Sequence, residues 1–294
     1  MTKKLIQIWL FIGLANAPCL SDAQTASSLP DSIPGAERRV YKTIGDADLT
    51  LHIFQPAEGN PRALRPAIVF FFGGAWRTGT VNQFVPHCRY FAARGMVAIV
   101  AEYRVRSRHG VTPFECVADA KSAMRWVRGH ASEYRINKKR IVAAGGSAGG
   151  HLAASTAVLE GFDEPDEDMK ISSRPDALVL FNPALDMHEL RKYMLADSLR
   201  AEEISPVHHI RKGLPPTIIF HGTADPTVPF TQATRFCEAM KKHGNACEVV
   251  PFEGRVHGFF NHGRGDGDDY KTTVEKADEF LVSLGYLKRE AGDR

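Results

Sequence analysis

Short apolar runs alternate with longer amphipathic ones along most of this chain. The runs RVYKT (39–43), LTLHIFQ (49–55), AIVFFFG (67–73), MVAIVAEY (96–103), RIVAAG (140–145), ALVLFN (177–182), TIIFHG (217–222) and CEVVPF (247–252) read as strands. From the third onward they are too continuously apolar for half-exposed strands and read as covered on both faces. Helical patterns lie between them at 82–93, 113–130, 148–159, 231–242 and 271–284. In the second of these, Val117, Ala120, Met124 and Val127 share one face. Strands alternating with helices predict parallel crossovers, hence an α/β fold with a mostly parallel eight-stranded sheet and helices on both faces. The first two strands have no helix between them and are expected as an antiparallel lead-in. Two stretches break the alternation. Residues 160–175 are acidic and polar, a surface excursion, and 186–214 insert a helix-forming segment that reads equally as a small lid over a pocket or as a surface helix.

The ends add a second layer. Lys3 and Lys4 precede the apolar run LIQIWLFIGLANA, and small residues follow in SDAQTAS, the order of a secretory signal. Cleavage is expected after Ala23, giving a signal over 1–23, a loose arm over 24–38 and one catalytic domain over 39–294. The apolar run is shorter than the ~20 residues a spanning helix needs, so no stable membrane insertion is expected after cleavage. The product is expected to be periplasmic or secreted.

With 294 residues, 44% apolar and 24% charged, the composition is that of a globular domain with an ample core. The net charge of +3, with both signs mixed along the chain, argues against nucleic acid as a partner. Four cysteines follow the signal, and export permits disulfides; the favoured pairs are Cys237 with Cys247 and Cys88 with Cys116. None has metal-ligand spacing, and no metal is expected.

Against this frame of strands and helices, Ser147 stands out. It sits between the fifth strand and the following helix in Gly145-Gly146-Ser147-Ala148-Gly149, a G-x-S-x-G turn. A strand turning straight into a helix crowds the positions two either side of the serine, where only very small residues fit. A phosphate loop would need a lysine, and this turn has none. The serine hydroxyl needs a base, and the base needs an orienting carboxylate. Loops after later strands supply both: Asp225 after TIIFHG, with Asp186 in reserve, and His257 after CEVVPF, where Gly254 and Gly258 free the loop. His151, inside the helix after the turn, and His221, two residues before the acid loop, read as structural. The N–H of Ala148 is one expected oxyanion donor. Gly74 and Ala75 in FFFGGAWRTG are the others, with Gly73 shaping the turn. Gly73 and Trp76 are the candidate substrate-binding residues, although Trp76 reads more readily as a buried structural side chain.

FGGAW, AEYR, GGSAGGHLA, HGTAD and VHGFF together resemble the α/β-hydrolase superfamily, in its hormone-sensitive-lipase-like esterase branch, nearest to small secreted acetyl-esterase and xylan-esterase-like proteins. The resemblance runs from about Val40 to Leu284. It implies Ser147 as nucleophile, His257 as base, Asp225 as acid, and neither metal nor organic cofactor. One departure is Phe72, which stands where that branch carries a histidine, so a hydrogen bond that steadies the oxyanion loop is expected to be missing. The expected function is hydrolysis of short acyl esters, with acetyl groups on carbohydrate such as xylan as substrate. An amidase or formamidase of the same fold, or a non-catalytic binding member, is the alternative.

Overall fold

The computed structural model describes residues 32–57, 62–190, 195–265 and 268–289. The expected signal and the start of the expected arm lie outside the described residues. Eight strands form, each at one of the apolar runs: β1 (Glu37–Ile44), β2 (Ala47–Phe54), β3 (Arg65–Phe71), β4 (Val97–Ala101), β5 (Ile136–Gly146), β6 (Ala177–Phe181), β7 (Thr217–Gly222) and β8 (Cys247–Phe252). They make one sheet in the order β1-β2-β4-β3-β5-β6-β7-β8. β2 runs antiparallel to β1 and to β4, and every other neighbouring pair is parallel.

The helices are α1 (Val85–Ala93), α2 (Arg106–His109), α3 (Pro113–Gly129), α4 (Ala148–Val158), α5 (Phe230–Lys242) and α6 (Asp268–Ser283). The crossover through α1 steps one way along the sheet, whereas those through α3, α4 and α5 step the other way. Parallel crossovers are right-handed, so α1 covers one face and α3, α4 and α5 cover the other. α6 joins α1, where Arg94 Nη2 donates to Asp278 Oδ1 at 3.0 Å. Apart from the single turn α2, the helices bury apolar residues against the sheet, α4 on every side; in α3, Val117, Ala120, Met124 and Val127 all face the core as their spacing predicts.

Several boundaries differ from the pattern, each for a local reason. Residues 81–84 form a 3-10 turn before α1, and Pro86 fits the first turn of that helix, where its missing N–H costs nothing. α2 is a single turn with no apolar stripe to announce it. Ile33 is buried and β1 opens at Glu37, so the expected arm ends several residues before 38. β8 is an edge strand with Glu248 and Pro251 exposed, and is not covered on both faces. An edge is where a strand tolerates proline.

The acidic excursion is tied down. Lys121 Nζ and Arg125 Nη2 of α3 donate to Asp163 at 2.7 and 2.6 Å, and Glu164 accepts from Lys42 and Arg104 at 2.6 and 3.0 Å. The insertion carries 3-10 segments at Leu195–Ile204 and Pro206–His209 and buries Ala201 and Ile204. No disulfide forms among Cys88, Cys116, Cys237 and Cys247, which corrects both expected pairs. Cys88 on α1 and Cys116 on α3 lie on opposite faces of the sheet. The Cys116 thiol instead lies within hydrogen-bond reach of the Arg104 and Thr112 carbonyls. Cys237 and Cys247 are neighbours as thiols, and their contact, with burial, pushes the Cys247 thiol far up.

Candidate active site

β5 ends at Gly146 and α4 begins at Ala148, leaving Ser147 alone to turn the chain. It does so at φ 55°, ψ −119°, a conformation L-residues rarely adopt and one that tertiary contacts must hold. Those contacts are visible: the Ser147 N–H donates to the Phe181 carbonyl at 3.0 Å, and its own carbonyl accepts from Ala184 N–H at 3.2 Å. The glycines are there for lack of space. A Cβ on Gly149 would lie 2.0 Å from the Phe71 carbonyl oxygen, and one on Gly145 would lie 2.4 Å from that of Gly149.

Two loops from the same sheet edge reach the serine. His257 Nε2 lies 2.9 Å from Ser147 Oγ, and its Nδ1 lies 2.6 Å from Asp225 Oδ2. With Nδ1–H donating to the carboxylate, the Nε2 lone pair faces the hydroxyl proton, the tautomer a general base requires. Burial alone would raise the Asp225 pKa. Hydrogen bonds from His221, from His257 and from the Val228 N–H outweigh it and hold the carboxyl well below the usual range. Its other oxygen accepts from the N–H groups of Thr227 and Val228 at 2.8 and 3.0 Å. His221 Nε2 reaches the Val228 carbonyl at 3.0 Å, so His221 braces this acid loop. Asp186, the reserve acid, instead accepts from the His188 N–H and pairs with Arg235, without reaching His257.

Opposite the imidazole lies the loop after β3. Gly74, Ala75 and Trp76 all have positive φ, of 127°, 53° and 57°, which turns successive peptides over one another. Among the described residues, the Gly74 and Ala75 N–H groups have no acceptor. Ala148 opens α4, where a helical N–H has no carbonyl one turn back. The Phe72 side chain makes no hydrogen bond in place of the histidine's, but Tyr103 ties the same residue down. The Phe72 ring stacks on Tyr103 at 4.2 Å, and the Tyr103 hydroxyl donates to the Phe72 carbonyl at 2.7 Å. Of the two readings of Trp76, candidate substrate contact and buried structural side chain, the structure matches the second and corrects the first. Trp76 is 3% exposed and is not among the described residues lining the cavity. Its indole N–H donates to His151 Nδ1 at 3.2 Å, while His151 Nε2–H donates to the Ile204 carbonyl at 2.7 Å, pinning the insertion to α4. Burial lowers the His151 pKa to about 4, in keeping with that neutral, structural role.

A cavity of about 440 Å³ opens over Ser147, between Gly74, Ala75, Thr227 and His257. Sequence reasoning missed several of the side chains around it, three of which hold the His257 loop. Asn182 Oδ1 accepts from the Gly258 N–H at 2.8 Å, Asn261 Nδ2 donates to the Gly258 carbonyl at 2.8 Å, and Arg264 donates to the His257 carbonyl at 2.7 Å. Asn182 had a signal, since it directly follows β6 at the carboxyl edge where ligands bind. A larger hollow of about 730 Å³, by Tyr90, Arg94 and Asp278, shares no lining residue with this cavity. Among the described residues, no cluster of three His, Cys, Asp or Glu side chains is placed to hold a metal ion.

Comparison with known proteins bears on the fold and the family. The chain is 30% identical over 196 residues to a probable carboxylic ester hydrolase, LipM, of Mycobacterium tuberculosis, covering 60% of this chain and 45% of that one. An isoprenylcysteine alpha-carbonyl methylesterase described as probable, ICMEL1 of Arabidopsis thaliana, is 28% identical, with 67% and 46% covered. The chain thus spans about half the length of the curated relatives it matches. Among solved structures, Thermogutta terrifontis esterase 2 phosphorylated by paraoxon is 55% identical with a TM-score of 0.84, covering 88% of this chain and 98% of that one. The butyrate-bound form of the same esterase gives a TM-score of 0.82 at 54% identity, with 88% and 97% covered. The sequence model of the BD-FAE family matches residues 51–240. With an α/β-hydrolase fold and its serine, histidine and aspartate loops at one sheet edge, the chain belongs to the BD-FAE family, within the hormone-sensitive-lipase-like esterases.

Proposed function

We propose that this protein is a serine carboxylic-ester hydrolase for short acyl esters. The observation that carries the reading is the unbroken contact from Asp225 through His257 to Ser147 Oγ, at a cavity that Gly74 and Ala75 also line; the N–H groups of Gly74, Ala75 and Ala148 are the proposed oxyanion donors. Ser147 Oγ attacks the ester carbonyl as His257 Nε2 takes its proton. The tetrahedral oxyanion is met by the three amides, and the imidazolium beside the Asp225 carboxylate returns its proton to the leaving alcohol. Water then repeats the sequence on the acyl-enzyme and releases the acid. The modest cavity and the butyrate-bound neighbour support a short acyl group. Acetylated carbohydrate such as xylan is the substrate we propose from the resemblance. We also propose export with cleavage after Ala23, which sequencing the N-terminus of the mature product tests.

The site is tested with paraoxon and p-nitrophenyl esters. Intact-mass measurement is expected to show one diethylphosphoryl addition on the wild type and none on Ser147→Ala, whose kcat falls by at least about 10⁴-fold. Addition to Ser147→Ala, or near-native turnover by it, would overturn the nucleophile. Acetate and butyrate esters are expected to exceed octanoate in kcat/KM; the reverse order would overturn the short-acyl preference.

A further inference from the structure

One side chain joins the two halves of the site. Gln83 lies in the 3-10 turn before α1 and lines the cavity over Ser147. Its Oε1 accepts from the Gly73 N–H at 2.6 Å, and its Nε2 donates to Asn261 Oδ1 at 2.8 Å. Asn261 in turn donates to the carbonyl of Gly258, the residue after His257. The donors and acceptors alternate correctly from end to end, which a primary amide permits because it accepts at one atom and donates at the other.

The chain of bonds reaches across the mouth of the cavity. The Gly73 loop follows β3 and the His257 loop follows β8, and β5, β6 and β7 lie between those strands. No ladder hydrogen bond links the two loops directly. The peptide between Phe72 and Gly73 is held at both ends, its carbonyl by Tyr103 and its N–H by Gln83. That peptide leads directly into Gly74, which takes a positive φ freely, and Ala75, whose φ of 53° is strained for a residue with a Cβ and needs outside support.

We propose that Gln83 is a positioning residue that sets the oxyanion donors at a fixed distance from the His257 base. This inference rests on the reading of Gly74 and Ala75 as donors and of His257 as base. It makes Gln83 a contributor to the transition state through other groups, without contact to the substrate. A misplacement of about 1 Å at a reacting centre costs about 100-fold in rate, so a measurable loss is expected.

The experiment compares wild type, Gln83→Met, Asn261→Leu and the double variant on p-nitrophenyl butyrate. Each single variant is expected to lose about 10–100-fold in kcat, with KM within about twofold. The double variant is expected to be no more than about threefold worse than the poorer single, because both break one bridge. A trifluoromethyl ketone, which forms a tetrahedral adduct, is expected to lose affinity in proportion to kcat/KM. Three results would overturn the proposal: wild-type kcat in either single variant, a rise in KM with kcat intact, or losses that multiply in the double variant. If Gln83→Met does not fold, Asn261→Leu alone carries the test, with wild-type kcat again the overturning result. Failure of the underlying site reading is distinguishable, because the wild type would then neither turn over ester nor take the paraoxon label.

Discussion

Ser147 occupies a backbone conformation that its own chemistry disfavours, and the residues around it are chosen to make that conformation the only one available. Gly149 is the clearest case: a Cβ there would lie 2.0 and 2.4 Å from the Phe71 and Phe72 carbonyl oxygens. Backbone atoms cannot swing aside as a flexible side chain would. Gly149→Ala is therefore expected to cost at least about 3 kcal/mol. Gly45→Ala, at φ +55° but with nothing within 4 Å, is expected to cost only about 1 kcal/mol. Urea unfolding of both variants checks the order, and equal losses would contradict the packing argument. The glycine spacing of this turn was legible in the sequence as a G-x-S-x-G pattern, although what crowds Gly149 is the backbone of Phe71 and Phe72 at the end of β3, 78 and 77 positions away. The roles of Gln83 and Asn261 were not, since 178 positions separate them and nothing local marks either as a partner.

Strands and helices were read well from their periodicity, because a sheet covered on both faces demands continuous apolar strands wherever it is covered. The pattern said less about the polar segment over 160–175. Its composition suggests a solvated loop, yet Asp163 is where the buried ends of Lys121 and Arg125 meet, with side-chain exposures of 13%, 4% and 7%. Burial alone would raise the Asp163 pKa, but hydrogen bonds from the two cations, and their charge, lower it below the ordinary carboxylate value. Asp163→Ala leaves two cations buried without this partner, and is expected to cost about 3 kcal/mol in unfolding free energy. A change below about 0.5 kcal/mol would mean the excursion is not docked on α3 as described. Sequence alone could not show this docking, because an acidic loop and a basic helix face look equally suited to water.

For the whole molecule, acid stability depends on histidines buried where no partner shares their charge. His87 is packed among Phe70, Phe84, Phe181, Phe260 and Tyr270, and both its ring nitrogens lack hydrogen-bond partners among the described residues. Burial, with a smaller contribution from His262, lowers its pKa to about 3; burial likewise lowers His52 to about 4. An unfolded histidine takes its proton near pH 6.5, so between that pH and the folded values the unfolded state binds more protons. The contribution of these two histidines to stability is complete above about pH 6.5 and falls as the pH drops toward their folded values. His87→Phe is expected to remove about 2 kcal/mol of the loss between pH 8 and pH 5, read from urea unfolding at both values. An unchanged pH dependence would contradict the assignment. The chain's local order, its alternating strands and helices, the glycine pattern of its serine turn and the loops that carry Asp225 and His257, was written in the sequence, because each shows as a pattern within a few residues, even where distant backbone holds it in place. Strand order, the free state of the cysteines, the docking of the acidic excursion and the polar bridge over the cavity were decided only by the folded structure. Those depend on which distant surfaces meet, and one chain's local preferences do not encode that meeting in a readable pattern.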